Sequence, residues 1–205
     1  INGFHYDNYH FGLASLVSVT RKEKHNVKVV IVSEINEYNY LLDEVKSFKP
    51  VVIGFSSVSS QFNYVKEMSA LIKELYPSIT IICGGVHPTI NADALLETEM
   101  INGFFVGESE FSIVEFLNKI EKGESYKEVD NFAYVQNGVV VRNKLKSLIE
   151  NLDLLPHPDK EIYPYKKTIM DLGYAPFFFA RGCPYMCTYC SNHALAGLYG
   201  RKRNY

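Results

Sequence analysis

Three of the four cysteines, Cys183, Cys187 and Cys190, fall in the segment Arg181-Gly182-Cys183-Pro184-Tyr185-Met186-Cys187-Thr188-Tyr189-Cys190-Ser191-Asn192, spaced C-x3-C-x2-C. Thiolates this close can converge on one inorganic centre, and such clustering in an otherwise disulfide-poor chain points to a metal or redox centre in a reducing compartment. A [4Fe–4S] cube that only transfers electrons takes four protein ligands. Three leave one iron open, where a small molecule can chelate and receive an electron, as radical chemistry requires. A second reading stands beside this one. His193 lies three residues beyond Cys190, so Cys183, Cys187, Cys190 and His193 could instead form a Cys3His zinc tetrahedron. Cys83, alone in an apolar stretch, reads as a small core residue.

The elements that must position this loop follow an α/β pattern. From residue 12 to about residue 122, helix-period segments alternate with short β-branched runs, which places helices on both faces of a parallel sheet. Leu13, Leu16 and Val17 lie at helical intervals, as do Tyr38, Leu41, Leu42, Val45 and Phe48. A helix over about residues 61–75 carries Phe62, Val65, Met68, Ile72 and Leu75 on one stripe, and another carries Ile113, Val114, Leu117 and Ile120. Strands buried on both faces are predicted over residues 27–32, 51–55, 79–83 and 104–106, with only residues 1–4 left for a strand before the first helix. The fold expected is a Rossmann-like, flavodoxin-like doubly wound sheet, with a ligand site beyond the carboxyl ends of its strands.

Around residue 126 the period changes. Residues 132–135, a Gln136-Asn137-Gly138 turn and residues 139–142 read as a hairpin, and residues 152–164, with three prolines, read as a linker. Pro176-Phe177-Phe178-Phe179-Ala180 then reads as a new buried strand from which the cysteine loop departs. The division expected is residues 1–125, 126–172 and 173–205, the last being the opening of a second domain. With Ile1 first and fifteen residues after the last cysteine, the chain reads as a fragment of a longer protein.

The cysteine spacing, the aromatic Tyr189 before the last cysteine and the position after a buried strand resemble the radical S-adenosylmethionine superfamily, whose partial β/α barrel opens with such a loop. The resemblance implies that Cys183, Cys187 and Cys190 hold three irons and that the amino and carboxylate groups of S-adenosylmethionine chelate the fourth. It places Tyr189 near the adenine through its backbone. It also implies a 5′-deoxyadenosyl radical and an electron donor such as flavodoxin or ferredoxin.

The upstream region resembles the cobalamin-binding fold of methylcobalamin-dependent enzymes, whose pattern is D-x-H-x-x-G, S-x-L and G-G. Asp7-Asn8-Tyr9-His10-Phe11-Gly12 supplies the Asp and Gly of the first element, Ser56-Ser57-Val58 the second with Val58 for Leu, and Gly84-Gly85 the third. The intervals, residues 13–55 and 59–83, are close to those of the family. A nucleotide tail inserted between sheet and helix wants a polar side chain such as Ser56 at one strand end, and Gly84 and Gly85 where backbone approaches closely. Tyr9 stands where the family has its cobalt-ligating histidine, and His10 is one residue out of register. Loss of that histidine is common where this domain is joined to a radical S-adenosylmethionine barrel.

Gly85-Val86-His87-Pro88-Thr89 and Gly107-Glu108-Ser109-Glu110 also look like segments of that combined family. A plainer reading has Gly107 ending an element and Glu108 favouring the next helix through its dipole. The resemblance as a whole is to cobalamin-binding radical S-adenosylmethionine proteins of the anaerobic magnesium-protoporphyrin monomethyl ester cyclase-like and radical methyltransferase-like kind. It implies methyl transfer to, or remodelling of, an unactivated carbon in a small molecule. The substrate and the catalytic residues lie beyond this sequence, and the fragment is expected to bind cobalamin without turnover.

Composition excludes several other classes. The chain has 205 residues, 47% hydrophobic and 21% charged, with 21 Lys and Arg against 23 Asp and Glu. A formal charge of −2 gives no general electrostatic reason to bind nucleic acid or an anionic membrane. The basic clusters Arg21-Lys22-Glu23-Lys24-His25 and Arg201-Lys202-Arg203 read as solvated helix faces or ends. No apolar run reaches the roughly 18 residues a membrane span needs, no signal peptide is evident, and a cytoplasmic protein is expected. A Gly-rich phosphate loop is absent. Transfer-RNA methylthiotransferases share the cysteine loop but carry a second cysteine triplet upstream, where this chain has only Cys83. The alternative kept is a non-enzymatic flavodoxin-like ligand-binding module with a structural Cys3His zinc site.

Overall fold

The computed structural model describes residues 10–32, 37–162, 165–175, 177, 180–185 and 187–199. The chain divides into two compact units, residues 1–49 with 151–180 and residues 50–150 with 181–205.

The first unit holds α1 (Phe11–Lys22), α2 (Tyr38–Phe48) and α6 (Tyr165–Leu172). Along α1, Ala14, Val17 and Val19 are buried together with Ser15, Ser18 and Thr20. Two of the buried hydroxyls are satisfied within the helix, Ser18 donating to the Ala14 carbonyl at 3.0 Å and Thr20 to the Leu16 carbonyl at 2.9 Å. Ala14 packs with Phe11, Leu13, Ile162 and Tyr165, and its carbonyl accepts from the Asp159 amide at 3.1 Å. Arg21 pairs with Asp159 at 2.5 Å, which fastens the proline-rich segment to α1.

The strand expected over residues 27–32 is not formed. The Val27 carbonyl accepts from the Arg21 guanidinium at 3.0 Å, Ile31 is exposed, and among the described residues all five strands lie in the other unit. An apolar β-branched run becomes a strand only where a neighbour offers its ladder. The strands expected over residues 1–4 and 176–180 lie wholly or partly outside the described residues.

The second unit is a five-stranded sheet in the order β1 (Val52–Ser56), β2 (Thr80–Gly84), β3 (Gly103–Phe105), β4 (Phe132–Gln136), β5 (Val139–Arg142). β1, β2 and β3 are parallel, while β4 and β5 add antiparallel to the β3 edge. Successive β3 residues point to opposite faces. Phe104 meets Phe62 of α3 (Phe62–Leu75) edge to face at 5.7 Å, and Phe105 meets Phe116 of α5 (Glu110–Glu121) at 5.3 Å. The sheet is therefore wound by helices on both sides, as the alternating pattern implies.

The hairpin turns at Asn137 and Gly138, both at positive φ, and its Phe132 ring is fully buried among Ile82, Phe105, Phe116 and Val129. Gly103 makes room for that ring. A Cβ there would run into Phe132 and come within 2.7 Å of the Ala133 carbonyl. Among the described residues no helix is long and apolar enough to cross a membrane.

Candidate functional site

The carboxyl ends of β1 and β2 are joined by backbone. The Ser57 amide donates to the Gly84 carbonyl at 2.9 Å, and the Ser57 carbonyl accepts from the His87 amide at 3.1 Å, which starts the short helix α4 (Val86–Ile90). Gly85 lies between at φ +97°, and a Cβ on it would sit 2.7 Å from the Ser57 carbonyl oxygen and 3.3 Å from Ser56 Oγ. Only glycine fits there. Gly84 differs, because a Cβ would meet nothing closer than Phe105 at 3.8 Å. That is ordinary van der Waals contact, so a methyl group would be tolerated there and the fold itself does not demand glycine. Ser56 is exposed, and Val58 receives the Gln61 side-chain oxygen on its amide at 3.3 Å.

His87 faces this region from α4. Its Nδ1 lies 3.0 Å from Ser59 Oγ and its ring packs on Phe62 at 4.4 Å, while Nε2 is buried without a partner among the described residues. Burial lowers the pKa of His87; Glu97 opposes the shift and Lys66 adds to it. Burial thus favours the neutral imidazole, with Nε2 enclosed by protein.

The next strand end carries the Gly107-Glu108-Ser109-Glu110 turn. Thr89 donates to the Gly85 carbonyl at 2.7 Å and accepts the Gly107 amide at 3.0 Å, linking the two turns. Asn131, buried at φ +64°, ties the same turn to the hairpin: its Nδ2 donates to the Val106 carbonyl at 2.8 Å, and its Oδ1 accepts from Ser112 and from the Lys146 amide, both at 3.1 Å. Glu108 accepts the Ile149 amide at 2.8 Å and pairs with Arg181 at 3.4 Å, and Glu110 also pairs with Arg181. Burial disfavours the Arg181 charge, yet Glu110 and then Glu108 outweigh it and hold its pKa raised.

Cys183, Cys187 and Cys190 are free thiols, partly buried, and Tyr189 is exposed. Among the described residues no group of three or more His, Cys, Asp or Glu side chains could hold a metal ion, so the Cys3His tetrahedron with His193 is not formed. Around zinc, with Zn–S bonds of about 2.3 Å, donors crowd within roughly 4 Å of one another. The three loop thiolates taken alone likewise form no such group among the described residues, and what fits an iron–sulfur cluster is their chemical type.

The sequence-predicted residues thus fall into groups. Ser56, Val58, Gly84, Gly85, Gly107, Glu108, Tyr189 and the three loop cysteines belong to the second unit. His10, exposed before α1, and Gly12 belong to the first, and Asp7 and Tyr9 lie outside the described residues. Asn131 and Tyr199 were not singled out by sequence, since each acts through partners distant along the chain. Ser57, His87, Thr89 and Arg181 were visible only as parts of quoted segments.

The family described as B12 binding domain matches residues 2–117. The chain belongs to the B12-binding domain family. This B12-binding chain is 27% identical over 184 residues to an uncharacterized methyltransferase of Pyrococcus horikoshii, with 88% of the chain and 40% of the relative covered. It is 28% identical over 157 residues to the anaerobic magnesium-protoporphyrin IX monomethyl ester cyclase of Rubrivivax gelatinosus, covering 73% of the chain and 28% of that enzyme. The chain therefore spans less than half the length of these relatives. In fold it is similar to the cobalamin-dependent S-adenosylmethionine radical enzyme OxsB, solved with aqua-cobalamin and S-adenosylmethionine bound, at a TM-score of 0.73 and 22% identity, covering 89% of this chain and 26% of that one.

Proposed function

We propose that this B12-binding chain is the cobalamin-binding and cluster-loop portion of a cobalamin-dependent radical S-adenosylmethionine enzyme that methylates or remodels an unactivated carbon of a small molecule. The observation that carries the reading is the succession, in one chain, of a B12-binding domain over residues 2–117 and the C-x3-C-x2-C loop at Cys183, Cys187 and Cys190. Both relatives described above are named for methyl transfer or cyclisation.

Cobalamin would be held by Ser56, Val58, Gly84 and Gly85 at the strand ends and by Gly107 and Glu108 on the next turn. Asp7, Tyr9, His10 and Gly12 belong to the first element of the pattern. The lack of a side chain at Gly84 would let a ligand approach the backbone closely, and His87 carries a buried ring nitrogen without a partner among the described residues. Tyr9 supplies no imidazole, and His10 is the imidazole next to it in sequence. Cys183, Cys187 and Cys190 would bind iron as thiolates, with S-adenosylmethionine at the remaining iron, Tyr189 beside its adenine, and flavodoxin or ferredoxin as electron donor. When bound, cobalamin supplies a transferable methyl group and the cluster supplies the electron that cleaves S-adenosylmethionine.

The test is anaerobic reconstitution of the full-length protein with iron and sulfide, followed by titration with hydroxocobalamin. The reading expects a broad visible absorption that bleaches on reduction, and retention of cobalamin at micromolar protein. A colourless, zinc-replete protein that retains no cobalamin would overturn it.

A further inference from the structure

We propose that the Gly107-Glu108-Ser109-Glu110 turn is a two-ended clamp that positions the cysteine loop, with Arg181 as the positioning residue at one end and Tyr199 at the other. The inference rests on the cluster reading above and assigns these residues a task that the cysteine motif itself does not contain.

The loop has little structure of its own. Over residues 181–190 the described backbone forms turns and bends, with the Cys190 amide donating to the Cys187 carbonyl at 3.1 Å. Tyr185 and Tyr189 are 72% and 90% exposed, so neither aromatic anchors it by burial. Its placement must come from its flanks, and both flanks meet the same four-residue turn.

Two residues before the first cysteine, Arg181 pairs with Glu110 and with Glu108, the latter at 3.4 Å. All three side chains are largely withdrawn from solvent, Glu110 most of all at 5% exposure. A carboxylate so buried is costly unless paired, and a guanidinium fork meets it with directional hydrogen bonds that an ammonium cannot reproduce. Glu110 opens α5, where the helix dipole also favours its charge. Glu108 is fixed in turn by the Ile149 amide at 2.8 Å.

Beyond the last cysteine, α7 (Ser191–Leu198) ends beside Tyr199, whose hydroxyl accepts the Glu108 amide at 2.9 Å. Gly107 is required for this contact. It sits at φ +77°, and a Cβ on it would collide with the Tyr199 hydroxyl. The clamp also reaches the Gly84-Gly85 tip, because Thr89 bridges the Gly107 amide and the Gly85 carbonyl. One hydrogen-bonded path thus joins the strand ends proposed for cobalamin to both ends of the loop proposed for the cluster.

The experiment compares reconstituted full-length protein with Glu110→Gln, Arg181→Met, Arg181→Lys and Tyr199→Phe. The readouts are iron content, and the change in the electron paramagnetic resonance spectrum of the dithionite-reduced cluster as S-adenosylmethionine is added. Thermal melting and hydroxocobalamin titration serve as fold controls. Groups that orient a metal's ligands typically carry about 10- to 100-fold in affinity or activity. Arg181→Met and Glu110→Gln are expected to weaken the S-adenosylmethionine response about tenfold while hydroxocobalamin binding persists, with Arg181→Lys recovering part of it.

Tyr199→Phe removes a single oxygen and is expected to fold, so it reports with a smaller weakening even if Glu110→Gln does not fold. Variants that match wild type in iron content and S-adenosylmethionine response overturn the clamp alone. A wild-type protein that takes up no cluster overturns the cluster reading, and the clamp with it.

Discussion

The backbone amide of Ser57 donates to the carbonyl of Gly84 at 2.9 Å, locking the tip of β1 to the tip of β2 at the end of the sheet proposed for cobalamin. The two glycines that follow have different reasons to be glycine. Gly85 is demanded by the protein, through its positive φ and its closeness to Ser57, whereas a Cβ at Gly84 would make only ordinary contact with Phe105. Gly85→Ala is expected to cost about 1–3 kcal/mol in urea unfolding from backbone strain alone. Gly84→Ala is expected to leave the melting temperature unchanged while weakening hydroxocobalamin binding several-fold in a spectral titration. Equal binding by Gly84→Ala and wild type would move the pocket elsewhere.

His87 makes a prediction about pH. Its folded pKa lies below the ordinary 6.5 because burial disfavours the imidazolium, with Glu97 opposing and Lys66 reinforcing the shift. As pH falls through 6.5 the unfolded chain takes up a proton that the folded protein resists, so stability present above that value is lost below it. Urea unfolding from about pH 7.5 down to about pH 5 should show the loss, and His87→Gln should flatten that slope.

Asn131 is a buried residue in left-handed conformation whose side chain serves three partners. Asn131→Ala is expected to destabilise by about 2–4 kcal/mol, since it leaves the Val106 carbonyl and the Lys146 amide without that partner and puts a Cβ residue at positive φ without side-chain support. Asn131→Gly keeps the backbone conformation and loses only the side-chain bonds. If the alanine and glycine variants unfold at the same denaturant concentration, backbone strain contributes nothing.

The four cysteines should separate by reactivity. Cys83 is fully buried, and burial pushes its thiol up to about 12, with a backbone hydrogen bond at Gly84 opposing the shift. Cys183, Cys187 and Cys190 are partly exposed. Iodoacetamide at neutral pH is expected to modify those three in the folded apoprotein and Cys83 only after unfolding, as read by peptide mass. Reconstitution with iron and sulfide should then protect the three together.

Most of the repeating architecture was legible along the chain because helix stripes and β-branched runs are local signals. The stripe at Phe62, Val65, Met68 and Ile72 became the buried face of α3, while Leu75 at its last turn is exposed, and the Asn137-Gly138 turn closed the expected hairpin. The run over residues 27–32 carries the same local signal as β1 and β2 but forms no strand, since a ladder depends on a neighbour that composition does not reveal. Nor could sequence place the hairpin against β3, where Phe105 pairs with Phe132 and Gly103 yields to the Phe132 ring.

By itself, then, the sequence determined the donor chemistry, three thiolates at C-x3-C-x2-C, and the small residues at the strand ends, because side-chain type and spacing are properties of a few adjacent residues. Only the tertiary structure decided which glycine is forced and which could carry a Cβ. It also brought Arg181 to Glu110, 71 residues earlier in the chain. Close approach, burial and the pairing of buried charges arise between segments distant along the backbone, and they exist only once the sheet has brought those segments together.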